Sequence, residues 1–281
     1  MKFIPMKNIL EMAEEKNIAY GAYVITSSDI AVAVIEAGKK MGTPLILIGS
    51  PECCELMGGY EATTAMVEMA AKGAQIPVAL HLDHCNTYEE CVEAIEAGFS
   101  SVMIDGSALP IEQNIALTKK VVDYAHKVGV TVEGELGRLV GEEGNLIVKG
   151  PDAAQTDPEE ALRFVQETGV DCLAVSIGTQ HGAYTCTPKL NIERLKKIHE
   201  ITKIPLVLHG GSGTPIEQVQ EAIKCGIRKI NVGTDLLTAY IDSYIEKSKE
   251  EGFKYNLAPF YAAQDSVTKV AEGKIKDFLC E

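Results

Sequence analysis

Short apolar runs recur along this chain, and between them hydrophobic positions return every three or four residues. Ala19 to Thr26, Pro44 to Ser50, Pro77 to Asp83, Ser101 to Ser107, Val130 to Gly137, 171–178, 205–211 and Lys229 to Asp235 read as strands. Most have no polar face, as expected of parallel strands buried on both sides. Helical spacing covers Ser28–Met41, with Asp29 early and Gly42 after the end, then Tyr60 to Gly73, Thr87 to Ala97 and Glu112 to Val128. Asp157-Pro158-Glu159 opens another helix, with proline just inside and acids in the first turn. Asn191 to Thr202 and Pro215 to Cys225 complete the set, with Met6 to Lys16 before the first strand and one or two helices after the last. Eight strand–helix units without a break in composition predict one α/β domain over residues 1–281, a (β/α)8 TIM barrel with extra terminal helices. An open doubly wound sheet is the competing arrangement, but no G-x-G-x-x-G follows the first strand.

A barrel gathers function at the C-terminal ends of its strands. There the sequence supplies Ser50, Asp83, His84, Asp105, Glu133, Glu135, His181, His209, Asn231 and Asp235. The stretch from Pro77 to His84 reads P-V-A-L-H-L-D-H, so His81 and Asp83 share one face while His84 turns to the other. His81, His84, His181 and His209 all follow apolar runs; His126 and His199 fall on helices and read as ordinary structural residues. Three neutral imidazoles from strands three, six and seven, with one position open, describe a catalytic zinc site. Lys229 is the only lysine near a strand, and at the strand's N-terminal end it is expected away from the site.

Composition narrows the partners. A net charge of -14 argues against nucleic acid and anionic membranes. No apolar run approaches the ~18 residues of a membrane span. The eight cysteines have no C-x-x-C spacing, and with no recognisable secretory leader they are expected as reduced cytoplasmic thiols.

H-L-D-H, V-E-G-E-L-G with G-E-E after it, I-G-T-Q-H-G, L-H-G-G-S-G and N-V-G-T-D run in order across nearly the whole chain. In these motifs the chain resembles the class II, zinc-dependent fructose-bisphosphate and tagatose-bisphosphate aldolases, and in length their shorter, tagatose-type branch. The resemblance implies reversible retro-aldol cleavage of a ketose phosphate to dihydroxyacetone phosphate and an aldehyde. It implies Zn²⁺ on His84, His181 and His209, with Asp83 as the acid–base group at the C4 hydroxyl. Glu143, in the loop after strand five, would exchange the proton at C3. Glu135 looks metal-proximal, and Asp105 and His81 look like supports for the ligands. Ser50, Gly182, Gly210, Gly211, Ser212, Asn231, Gly233 and Thr234 would surround the phosphate, with a monovalent cation (Na⁺ or K⁺) beside it. A homodimer or homotetramer is implied. A strict fructose-1,6-bisphosphate or tagatose-1,6-bisphosphate enzyme, a sugar-phosphate-binding homologue without catalysis, and a zinc hydrolase or isomerase are the competing readings.

The departures concentrate at the distal end of the substrate. The first strand reads Ala22-Tyr23-Val24-Ile25-Thr26 where the family places a substrate-contacting Asn, and Ile48 stands where Gln is usual. Cys85 replaces the Gly that usually follows H-L-D-H, and Gly233 replaces the Asp of the fructose-bisphosphate enzymes. No arginine for a second phosphate is recognisable between Asn256 and Gln264.

Overall fold

The computed structural model describes residues 3–137, 155–179, 187–250, 252 and 256–280, together with the backbone of 141–143 and 146–148. Its strands are β1 (Tyr20–Val24), β2 (Leu45–Gly49), β3 (Val78–Cys85), β4 (Ser101–Ile104), β5 (Thr131–Leu136), β6 (Gly141–Glu143), β7 (Leu146–Val148), β8 (Cys172–Val175), β9 (Leu206–Leu208) and β10 (Ile227–Val232). Eight of them form a closed barrel in the order β1-β10-β9-β8-β5-β4-β3-β2, with every pairing parallel. The TIM barrel expected from the alternation is therefore present. β6 and β7 pair antiparallel outside it.

The helices are α1 (Met6–Lys16), α2 (Ser28–Met41), α3 (Pro51–Leu56), α4 (Tyr60–Ala70), α5 (Tyr88–Ala97), α6 (Ile111–Ala125), α7 (Pro158–Thr168), α8 (Ile192–Thr202), α9 (Ile216–Lys224), α10 (Thr234–Glu250) and α11 (Ala258–Phe278). Their ends follow local chemistry. Ser27 accepts from Ile30 N at 3.4 Å to open α2. Thr87 and Glu90 form a reciprocal capping box on α5. Asp157 accepts from Glu159 N and Glu160 N on α7.

Tyr20, Ala22, Ile46, Ile48, Ala79, Cys172, Ala174 and Val207 form an apolar cluster with Met6, Ile9, Leu10 and Ala13 of α1. That helix closes the N-terminal mouth of the barrel. Its three large apolar residues are fully buried, each worth about 1.5–3 kcal/mol on transfer from water. Lys7 N donates to Thr131 Oγ1 at 3.0 Å, and Arg228 Nε donates to Glu14 at 2.6 Å, which pins the plug at two points. Water is thus excluded from below.

Three local expectations change. The short helix α3 was not foreseen, although Ser50 followed by Pro51 and Glu52 is a helix-start signal. Thr234 and Asp235 open α10 instead of ending the eighth strand. The segment carrying Glu143 forms β6, which pairs antiparallel with β7 where a loop was expected. Among the described residues the cysteines are free, and no helix is long and apolar enough to cross a membrane. Leu237, Ile241 and Ile245 make an exposed stripe along α10, continued by exposed Leu257, Phe260 and Tyr261 at the start of α11.

Candidate active site

The end of β3 builds the centre. His81 and Asp83 face inward on alternate positions, as the strand period requires. His84 does not turn away. Its φ is +52°, a left-handed conformation that costs energy for any residue with a Cβ. The β3–β4 register also shifts between Leu82 and Cys85. Together these swing the imidazole back over the barrel mouth, with Nε2 3.7 Å from Asp83 Oδ2.

Two tiers of polar groups result. In the lower, fully buried tier, Lys229 Nζ donates to Glu133 Oε2 at 2.8 Å and lies 3.5 Å from His81 Nε2 and 3.9 Å from Asp83 Oδ1. The expectation that Lys229 sits away from the site is therefore wrong. Position 229 is early in β10, but the staggered barrel brings it level with Val207 and Tyr20, and its long side chain reaches up under Asp83. His81 Nδ1 is 2.7 Å from Ser101 Oγ, whose own proton goes toward Met6 Sδ at 3.7 Å. His81 Nε2 also lies 3.4 Å from Asp83 Oδ1, so the ring is held between the Ser101 hydroxyl and the Asp83 carboxylate.

In the upper tier, His209 Nε2 donates to Glu133 Oε1 at 2.9 Å, and the His84 and His209 rings meet edge to face at 4.7 Å. His84 Nδ1 is 3.3 Å from Asp105 Oδ2 and 3.9 Å from Glu135 Oε2. Asp105 is itself fixed by Ser107 N at 2.9 Å. Asn231 Nδ2 donates to Asp83 Oδ2 at 3.0 Å. Glu133 was placed at a strand end by sequence but given no role; V-E-G-E has the period of two that turns both glutamates inward, and that signal was sufficient to pair it with Glu135.

The electrostatics follow from this packing. Burial opposes charge on Glu133 and Asp105, yet Lys229 and His209 around the first, and His84 and Ser107 around the second, hold both near a pKa of about 2. Asp83 is buried too, and His84 and Lys229 keep it well below the usual carboxylate range. Burial lowers His81, reinforced by Lys229, and burial lowers His209. Burial works against the Lys229 charge, but Glu133 and Asp83 outweigh it and raise its pKa. Asp83, Asp105 and Glu133 are thus held as carboxylates, His81 and His209 as neutral imidazoles, and Lys229 as an ammonium.

The donor set suits a metal ion. Asp83, His84 and His209 present ligand atoms within 4.8 Å of one another, as do His84, Asp105 and Glu135. Ligating histidines characteristically give their other N–H to a carboxylate, and His84 with Asp105 and His209 with Glu133 are such pairs. His181 and Gly182 lie outside the described residues, as does the Glu143 side chain.

The phosphate candidates surround this centre. Gly210 has φ +68°, and a Cβ on Gly211 would lie 2.7 Å from Asn231 O, so the β9–α9 turn runs tight against β10. Ser212 Oγ accepts from Asp235 N at 3.2 Å, which ties that turn to the start of α10, where Thr234 is exposed. Ser50 caps α3 through Cys53 N at 3.2 Å. Asp235 leaves the set, since its carboxylate pairs with Lys274 at 2.7 Å. Val24 packs over Gly233, where a Cβ would meet its Cγ2 at 3.0 Å, and neighbours Ile48 across β1 and β2. Val24 is thus half-buried at the end of β1, while Ile48, level with His81 on the next strand, is fully buried in the cluster above α1.

The family model described as fructose-bisphosphate aldolase class II matches residues 4–281. The chain belongs to that family. The aldolase is 40% identical to a fructose-bisphosphate aldolase of Staphylococcus aureus over 281 residues, 99% of this chain and 98% of the relative. It is 38% identical to one from Geobacillus stearothermophilus at 99% and 97% coverage. Among solved structures, the YdjI aldolase from Escherichia coli K12 superposes with a TM-score of 0.85 at 33% identity, covering 98% of this chain and 97% of that one. The chain is accordingly an enzyme of the carbon–carbon lyase class.

Proposed function

We propose that this aldolase is zinc-dependent and cleaves a ketose phosphate reversibly to dihydroxyacetone phosphate and an aldehyde. The observation that carries the reading is the convergence of Asp83, His84 and His209 within 4.8 Å at the C-terminal mouth of the barrel. His84 and His209, with His181, would hold the ion. A divalent cation there supplies Lewis-acid stabilisation of charge developing beside the substrate carbonyl.

The remaining work falls to side chains. Asp83, ionised and held by Asn231, takes the C4 hydroxyl proton as the C3–C4 bond breaks and returns it in condensation. Glu143 exchanges the proton at C3. Glu135, Asp105 and His81 orient these groups. Backbone N–H groups of Gly182, Gly210, Gly211, Ser212, Gly233 and Thr234, with Ser50 and Asn231, cradle the phosphate. A monovalent cation, Na⁺ or K⁺, would temper the negative charge of the protein there.

The names of the relatives make fructose 1,6-bisphosphate the first substrate to test. The apolar Val24 at the end of β1, with Ile48 where the family usually has Gln, favours a second reading, in which the preferred ketose 1-phosphate has a less charged or deoxygenated distal end. A panel of ketose phosphates with and without the distal phosphate, coupled to enzymatic detection of dihydroxyacetone phosphate, separates the two. No release from any of them rejects the reaction.

The enzyme is proposed as a cytoplasmic homo-oligomer, and the α10–α11 stripe is the face on which a second copy would pack. Ile241→Arg should shift the sedimenting species toward monomer. An unchanged sedimentation coefficient would remove this face from the assembly.

A further inference from the structure

Among the described residues, Lys229 and its partner Glu133 are strongly charged groups of the centre to which the proposed chemistry gives no role. The Lys229 ammonium is fully buried beneath Asp83 and His81, above the plug formed by α1. His81, Asp83 and Glu133 also present ligand atoms within 4.8 Å of one another, but the Lys229 ammonium already sits against all three, at 3.5, 3.9 and 2.8 Å. A built-in cation thus occupies the place where a second metal would otherwise be held.

A desolvated lysine on a barrel strand is also what a Schiff-base aldolase requires. Here the geometry points elsewhere. The amine is locked as a donor to Glu133 and shielded from the mouth by the Asp83 and His81 side chains, so a substrate carbonyl has no path to it.

What Lys229 does touch is the carboxylate that holds His209. Glu133 bridges the two: Oε2 accepts from Lys229 at 2.8 Å and Oε1 accepts from His209 Nε2 at 2.9 Å. A carboxylate gripped on one oxygen by a fixed charge cannot rotate away from the other. Both interactions are charge-assisted and dry, the conditions under which such bonds direct geometry most strongly.

We propose that Lys229 is a positioning residue: through Glu133 it fixes the orientation and tautomer of His209, and so sets the affinity of the upper tier for its divalent cation. This rests on the reading of His209 as a ligand. Removing the group that orients a ligand costs 10–100-fold in metal affinity as a rule, and that is the effect expected here.

The test uses the full chain. Zn²⁺ affinity is measured by competition with a chromogenic chelator for wild type, Lys229→Met, and Lys229→Met with Glu133→Gln. Melting of the metal-free proteins is recorded alongside. Lys229→Met should weaken Zn²⁺ binding roughly 10–100-fold and melt lower, because it strands a buried carboxylate. The double variant leaves only Asp83 short of the lost ammonium, 3.9 Å away in the wild type, and should melt closer to wild type than the single variant does, yet still bind Zn²⁺ about tenfold or more weaker, since the neutral amide at position 133 is no longer anchored. Wild-type affinity in Lys229→Met overturns the proposal; if that variant does not fold, Lys229→Gln, which removes the charge but leaves Glu133 a donor, is read in its place, and wild-type affinity there overturns it equally. Covalent trapping of substrate on Lys229 by borohydride overturns it as well. A wild-type protein that binds no Zn²⁺ rejects instead the metal reading beneath it.

Discussion

Asp83→Asn is the substitution that most cleanly separates chemistry from binding. The side chain keeps its shape, and its amide oxygen can still accept from Asn231. What disappears is the negative charge facing Lys229 at 3.9 Å, His81 at 3.4 Å and His84 at 3.7 Å. At an effective dielectric near 20, a unit pair 3.9 Å apart attracts by about 4 kcal/mol, but much of that offsets the burial of the two charges. Lys229 also retains Glu133 at 2.8 Å. The net stability loss should therefore be about 1–3 kcal/mol, within the roughly 5–15 kcal/mol typical of a folded domain, so the variant folds and its kinetics can be read. Loss of the acid–base group should lower kcat by roughly 10²–10⁴, about 3–5.5 kcal/mol in the barrier. The zinc content should stay at the wild-type value, because the proposed ligands are histidines. The assay is steady-state cleavage with coupled detection of dihydroxyacetone phosphate, beside metal analysis of the same samples. A zinc-loaded variant within tenfold of wild-type kcat would refute the role of Asp83. A kcat loss that tracks zinc loss would make Asp83 a ligand instead.

Gly211→Ala would push a methyl to 2.5 Å from Ile230 Cγ2 and 2.7 Å from Asn231 O; it should cost about 1–3 kcal/mol by overpacking and raise KM for phosphorylated ketoses, and an unchanged KM would remove this turn from the phosphate site. Glu143→Ala should slow deuterium wash-in at the dihydroxyacetone phosphate carbon, while normal exchange would assign that proton to another group. Metal-free protein should lose stability as pH falls. The folded state lowers His81 and His209 below 6.5, so only the unfolded chain gains protons there; Glu133 and Asp105, held near about 2 against ordinary values of 4.5 and 3.8, add a further loss as pH drops through that range. Melting temperature across that range measures it, and a value that rises as pH is lowered from about 7 to about 5 would contradict the assignment.

How much of this was legible beforehand depended on range. The barrel was, because unbroken apolar strands alternating with amphipathic helices admit few packings, and α1 and α2 were placed to the residue. Asp83, His84 and His209 were read as neighbours because all three end strands of a barrel. Asp105 and Glu135 gathered around His84 for the same reason. Lys229 was misread because strand position alone ignores both barrel stagger and the reach of a four-carbon side chain. The left-handed turn at His84 was invisible, since nothing in H-L-D-H distinguishes a bulged strand end from a straight one. The capping work of Ser50 and Ser212 depends on which helix begins beside them, and α3 had not been foreseen.

His84, His209 and Asp83 are proposed to build a metal-dependent aldol site. The most direct measurement is cleavage of fructose 1,6-bisphosphate and the matched ketose 1-phosphates by protein stripped with chelator, then reloaded with Zn²⁺. Stripped protein should release no dihydroxyacetone phosphate and should recover fully at one Zn²⁺ per chain. Full activity in excess chelator, with borohydride capturing a substrate–lysine adduct, would contradict it.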